Sequence, residues 1–240
     1  MNTIQTVLSV KKNARIAGIL YLIIIIAGLF SEMFVRSSIV VPGDALTTAQ
    51  NILNHSVLYR VGFVSDLIMI MSDVAVALLF YLLLKPVSKG LSLLAAFFRL
   101  GQATVLGLNL LNYYMPLLIF GDNTYLSSFS GDQLSSLALL FINAHSYGYL
   151  ISGVFFGISC IIVGSLMYNA EYFPKWLGIL IIAAGISYLV DCFVNFLGPE
   201  FSNVSEILVV TIAVAAELTL CLYLLVKGIK ADSGNQITMA

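Results

Sequence analysis

Six apolar runs, each long enough to cross a lipid bilayer as a helix, follow one another along this chain. A crossing takes roughly 20 helical residues. The runs lie near residues 16–34, 57–84, 90–120, 145–168, 177–197 and 205–226. Runs of this length leave little choice of fold. Hydrocarbon offers no partner to backbone N–H and C=O groups, so each run must satisfy its own by coiling into a helix. The expectation is an all-α integral membrane bundle of six transmembrane helices, one domain over residues 1–240. Composition points the same way. Only 10% of residues are charged and 60% are hydrophobic, where a soluble domain carries about 25% charged residues. Too few polar side chains remain for a water-facing shell, so the expected solvent is the lipid bilayer. A net charge of −1 gives no reason to expect a nucleic-acid partner.

The first run follows the basic stretch "VKKNAR" (Val10–Arg15), which resembles the start of a signal peptide. The run is too long for a signal core and no small-x-small cleavage site follows, so a retained first helix is expected. Basic residues then set the orientation. With both termini in the cytoplasm, the inner segments carry Lys11, Lys12, Arg15, Lys85, Lys89, Lys175, Lys227 and Lys230. The outer loops carry Arg36 and Arg60, and Arg99 falls inside a span. Short loops with this bias read as positive-inside. The inner turns "KPVSKG" and "EYFPKW" hold Pro86, Pro174 and the sole tryptophan, Trp176, which is expected at the interface. In the first outer loop, Asp44 is placed to cap a short helix, with Leu46, Ala49, Ile52 and Leu53 on one membrane-facing side.

The spans also hold polar residues, and these fall in stripes. Asp66 and Asp73 are seven residues apart in the second run, so they share a face. The third carries Arg99, Gln102 and Asn109, with Asn112 nearby. The fourth has His145, Ser152 and Ser159, the fifth Ser187, Asp191 and Asn195, and the sixth Glu217. Stripes in this many helices point inward, away from lipid. At ~1.5 Å per residue from the inner ends, Arg99 and Glu217 lie about 14 Å deep and Asp73 about 17 Å. An Arg99–Asp73–Glu217 cluster is therefore expected at the inner-to-middle level, with Asp66, Asp191 and His145 toward the outer side. An unpaired charge at the bilayer centre costs at least ~2.5 kcal/mol, so Arg99 needs a carboxylate. One arginine cannot serve four acids; the others must reach water or carry a proton.

The seam has competing readings. In one it is structural, with charge pairs and hydrogen bonds fixing helix register in a structural or accessory membrane protein. In the other it lines a polar path, and protonation of Asp73 or Glu217 is coupled to movement of a proton, an ion or a small molecule, as in a transporter or channel-like protein. A third, an intramembrane hydrolase built on Ser152, His145 and Asp66, has no motif behind it; HExxH, GxSxG, Walker A and GxGxxG are all missing. Cys160, Cys192 and Cys221 lie inside apolar runs without CxxC or Cys/His spacing, so neither a disulfide framework nor a zinc site is expected. No cofactor is expected, since His55 falls in an outer loop and leaves His145 without a second haem ligand. "GVFFG" (Gly153–Gly157) suits close helix contact, within the fold or between protomers, and the contact within the fold is expected. A small-molecule or ion ligand and a homo-oligomer both stay open.

The stretches "ARIAGILYLIIIIAGLFSE", "VVPGDALTTAQNIL", "YRVGFVSDLI", "LAAFFRLGQA", "YFPKWLGILIIAAGISYLVDCF" and "AELTLCLYLLVKGIK" run in order from residue 14 to residue 230. Together they resemble the bacterial membrane family catalogued as domain of unknown function 4386. The resemblance implies a multi-pass protein of the bacterial inner membrane with no assigned activity. It carries over no role for Asp66, Arg99, Asp191 or Glu217, which lie within the matching stretches.

Overall fold

A computed structural model describes residues 3–121 and 124–229. Lys230, counted above among the inner basic residues, lies outside the described residues. Among these residues every regular element is helical. Helix α1 (Thr3–Leu29) runs on through a widened turn, Phe30–Arg36, into Ser37–Ile39. Then come α2 (Ala45–Asn54), α3 (Ser56–Leu84), α4 (Lys89–Ile119), α5 (Gly131–Asn169), α6 (Lys175–Leu197) and α7 (Ser202–Val226). Among the described residues, six helical stretches are long and apolar enough to cross a membrane: Val10–Ile39, Ser56–Leu84, Lys89–Ile119, Gly131–Asn169, Lys175–Leu197 and Pro199–Val226. Their outward faces carry large apolar side chains such as Met71, Leu108, Leu111 and Ile207, each about two-thirds exposed. A water-facing domain rarely exposes so much contiguous apolar surface.

The chain forms two compact units. Among the described residues, the first takes in Thr3–Ile23, Ser72–Ala103 and Leu150–Ile229. Its core joins Tyr21, Val76, Phe80, Leu166, Leu177, Ile181 and Leu220, all nearly fully buried. Glycine decides how α5 and α6 meet inside it. A Cβ on Gly164 would stand 2.6 Å from the carbonyl oxygen of Gly178, and one on Gly178 would stand 2.7 Å from that of Gly164. Gly157 and Gly185 repeat this reciprocal fit one level along, so the helices touch backbone to backbone, as small residues permit. Gly153 completes the face against Cys192 Sγ. The turn between α5 and α6 is tied down in the same unit: the Tyr172 hydroxyl donates to the Leu83 carbonyl at 2.7 Å. Burial pushes the Tyr172 phenol up to about 12.

The second unit comprises Ile24–Met71 and Thr104–Tyr149. Tyr59 and Tyr113 stack at 4.3 Å in its core, and each hydroxyl donates to the other's backbone carbonyl, at 2.8 and 3.0 Å. The connection into α2 is a tight turn. Pro42 is followed by Gly43 with φ of +79°, and the Asp44 N–H donates to the Val41 carbonyl at 3.1 Å. That is the conformation a Pro-Gly pair prefers at the centre of a type II turn. Asp44 then caps α2, accepting from the Thr47 N–H at 2.9 Å and its hydroxyl at 2.7 Å. The single membrane-facing side expected for α2 is corrected here. Thr48, Ala49 and Ile52 are buried in the protein, while Leu46 and Leu53 face outward and about half exposed. The Thr48 hydroxyl and the Asn51 amide bond to Val41 and Ile39 and sew the helix onto the preceding turn.

The cap makes a pH prediction. The Thr47 backbone N–H, then the Thr47 hydroxyl, hold the Asp44 carboxyl below its ordinary value of 3.8. A group with a depressed folded pKa contributes stability above its unfolded value and loses it as pH falls through the folded one. Amide exchange at Thr47 is therefore expected to speed up, beyond the intrinsic pH effect, below 3.8. Asp44→Ala should show faster exchange already at neutral pH and no further cap-dependent change on acidification.

Candidate functional site

In the first unit, Arg99 of α4 and Asp73 of α3 are 3% and 2% exposed. Arg99 Nε donates to Asp73 Oδ1 at 2.8 Å, and Nη2 forms an ion-pair contact with the same oxygen at 2.5 Å. Gln102, one turn along α4, donates from Nε2 to Asp73 Oδ2 at 2.6 Å. Both carboxylate oxygens are thus engaged. The guanidinium carbon lies 5.1–5.7 Å from the ring centres of Phe156, Tyr21 and Phe80, so the charge also faces three π-systems in a desolvated setting. The adjoining space, lined by Ala77, Phe80, Ser92, Ala95, Arg99 and Ser159, has no room for a water molecule.

Glu217 of α7 does not join that pair. Among the described residues the ion pairs are Arg36–Glu32, Arg36–Asp66 and Arg99–Asp73. Glu217 is half-buried, and its Oε1 accepts from the Tyr188 hydroxyl at 2.6 Å. Asp191 belongs to the same unit. Its Oδ1 accepts from the Ser205 hydroxyl at 2.7 Å and from Asn195 Nδ2 at 3.2 Å. Ser159 donates to the Ala95 carbonyl at 2.9 Å, an interhelical link from α5 to α4.

The second unit holds its own charged group. Asp66 is fully buried and accepts from Arg36 Nη1 at 2.6 Å. Arg36 also donates to Ser31 Oγ and to Glu32 Oε2, each at 2.8 Å, and lies 5.2 and 5.8 Å from the Tyr149 and Tyr113 ring centres. Placing Arg36 in an outer loop is corrected by this geometry. It sits on a helix, 9% exposed, as the partner of Asp66. Two sequence signals point to it: Glu32 stands four residues before it, and Ser31, Val35, Arg36 and Ile39 recur at helical spacing and are all buried. His145 is 2% exposed and locked to α4 by reciprocal bonds. Its Nδ1 is 3.1 Å from the Asn109 carbonyl oxygen, and Asn109 Nδ2 donates to the His145 carbonyl at 2.7 Å. Asn112 donates to Asn109 Oδ1 at 3.0 Å. Gly148 makes this possible, since a Cβ there would stand 2.1 Å from the Asn109 side chain. Sequence reasoning did not single out Gly148, because the need for it arises only once Asn109 reaches across.

The structure thus brings Asp73, Arg99 and Gln102 together in one unit, and Asn109 and His145 together in the other. Glu217 and Asp191 are held by hydroxyl donors, and Asp66 by Arg36. Among the described residues no three His, Cys, Asp or Glu side chains converge as metal ligands.

The sequence matches the family described as "Domain of unknown function (DUF4386)" over residues 16–228. An uncharacterized protein of Archaeoglobus fulgidus is 33% identical over 137 residues, covering 57% of this chain and 68% of that protein. No solved structure matches the chain.

Proposed function

The chain belongs to the DUF4386 family, and from that premise we propose that it is a multi-pass integral membrane protein with a proton- or ion-linked interior site, transporter- or channel-like, centred on Glu217. The reading places it in the cytoplasmic membrane of a bacterium with both termini inside. The basic residues of the inner segments support this, and the bias is sharper once Arg36 is taken out of the outer loops.

One observation carries the site. Asp73 and Arg99 neutralise one another, with Gln102 on the remaining oxygen. Neither can change charge without stranding its partner. Glu217 sits in an apolar helix with the Tyr188 hydroxyl as donor and, among the described residues, no ion pair within 4 Å. It can gain or lose a proton without breaking a salt bridge, which is what a proton-linked acid requires.

A second reading, a structural or accessory membrane protein, draws on the dry packing beside Arg99. The hydrolase reading loses ground. His145 Nδ1 faces a backbone carbonyl and its Nε2 has no hydrogen-bond partner, so neither ring nitrogen activates a serine.

Flux in proteoliposomes separates the first two readings. Wild type is expected to dissipate an imposed pH gradient, and Glu217→Gln to abolish this while thermal stability in detergent stays near that of wild type. Absence of proton or common monovalent ion flux from folded wild-type protein would overturn the transport reading and leave the structural one.

A further inference from the structure

Two short turns gather positive charge at one end of the first unit. Lys85 and Lys89 flank the turn from α3 to α4, and Lys175 opens α6 after the turn from α5. Side-chain bonds hold these turns next to each other. The Tyr172 hydroxyl, from the turn before Lys175, donates at 2.7 Å to the carbonyl of Leu83, just before Lys85. The Ser92 hydroxyl donates to the Tyr81 carbonyl at 2.9 Å and holds the start of α4, with Lys89, against the end of α3. Lys89 and Lys175 are exposed and Lys85 is half-buried. Among the described residues the ion pairs belong to Arg36 and Arg99, so none of the three lysines has a carboxylate within 4 Å. Glu171 is the one acid on these turns.

Apolar surface begins one helical turn away from the charge. Leu93 follows Lys89 on the same side of α4, and Ile179 follows Lys175 on the same side of α6; both are exposed. Trp176 and Tyr168 are exposed beside Lys175, whose ammonium lies 5.3 Å from the centre of the Tyr168 ring. A molecule that matches both parts has an anion at one end and a hydrocarbon body at the other. We propose that the two turns bind the phosphodiester headgroup of an anionic glycerophospholipid, with Lys85, Lys89 and Lys175 as its cations. A lysine ammonium is a compact charge on a flexible stem, so three of them from two turns can close on one phosphate. Trp176 and Tyr168 suit the level where headgroup gives way to acyl chain, since each has an apolar body and a polar tip. A zwitterionic headgroup brings a positive charge back to the lysines and gains less. A free phosphate meets the lysines but leaves Trp176, Leu93 and Ile179 uncovered. The inference rests on the chain being a membrane protein and does not involve Glu217.

The full chain, stripped of lipid in a neutral detergent, tests this by native mass spectrometry and thermal melting. The probes are phosphatidylglycerol and phosphatidylcholine with the same acyl chains. Wild type is expected to bind phosphatidylglycerol on the order of tenfold more tightly, given about fivefold for each basic residue at an anionic headgroup. Lys85→Gln with Lys175→Gln should erase most of that preference, while the melting temperature without lipid stays near that of wild type. Lys11→Gln with Lys12→Gln removes the same charge from α1 and should keep the preference. Equal binding of the two lipids by wild type would overturn the proposal, and that result needs no variant to fold. So would a Lys85, Lys175 variant that keeps the preference. Equal loss in the Lys11, Lys12 variant would show diffuse charge and no site, and displacement of the lipid by inorganic phosphate would show a simple anion site; either result also overturns it. None of these outcomes bears on Glu217, whose test is flux.

Discussion

Replacing Arg99 with methionine is expected to lower the midpoint of thermal unfolding in detergent by on the order of 10 °C. The cause lies in what remains. Asp73 is 2% exposed, and without Arg99 its carboxylate keeps, among the described residues, only Gln102 as a donor. Removing one member of a buried pair typically costs about 3–5 kcal/mol, because the other charge is left uncompensated. The three rings around the guanidinium also lose a cation that they were placed to face. The paired variant Arg99→Met with Asp73→Leu takes out both charges. It is expected to recover most of the loss, since a well-packed apolar replacement of a buried pair is often neutral or better. If Arg99→Met melts with wild type, the pair is no brace. If the double variant stays as unstable as the single one, the loss comes from packing and not from a stranded carboxylate.

Gly164→Leu is expected to be more damaging still, to the point that no monodisperse folded protein is recovered. The nearest atoms to a Cβ at Gly164 are the Gly178 carbonyl oxygen at 2.6 Å and the Ile182 backbone nitrogen at 2.8 Å. Backbone atoms cannot rotate aside as a side-chain end can. The two helices must separate, and the Gly157–Gly185 contact one level along opens with them. Overpacking a core commonly costs about 1–3 kcal/mol, and more where backbones must shift. Gly164→Ala provides the graded case, with a partial loss of melting temperature by the same separation. A Gly164→Leu protein that melts like wild type would show that α5 and α6 do not rely on this contact.

The helices were readable because a long apolar run has one way to satisfy its backbone in hydrocarbon. The charged residues were less so, and the reasons differ from one to the next. Arg99 and Asp73 stand in the middle of apolar runs, where the cost of an unpaired charge is largest and the demand for a partner is plain. Arg36 stands near the end of its run, where a charge reads as the start of a loop. Only its helical spacing from Ser31 and Val35 and its buried partner Asp66 distinguish it. Glu217 was grouped with Arg99 by depth alone. Depth says nothing about rotation around the helix axis, and the carboxyl meets Tyr188 instead. In α2, Leu46 and Leu53 were assigned to the same face as Ala49 and Ile52. Thr48 reverses that reading, because its hydroxyl bonds turn its side of the helix into the protein.

The widened turn at Phe30–Arg36 sets a constraint on chain length. There the Ser37 N–H reaches back five residues to the Glu32 carbonyl, so the coil holds more chain per turn than a regular helix does. Every side chain beyond it is rotated accordingly. Deleting one residue from this stretch would leave a more regular helix and a worse protein. Arg36 would swing by about 100° around the axis, away from a carboxylate that has no exposure to water. The number of residues between Leu29 and Ser37 therefore matters as much as their identity, and an insertion or deletion there would act as a charge mutation without altering any charge.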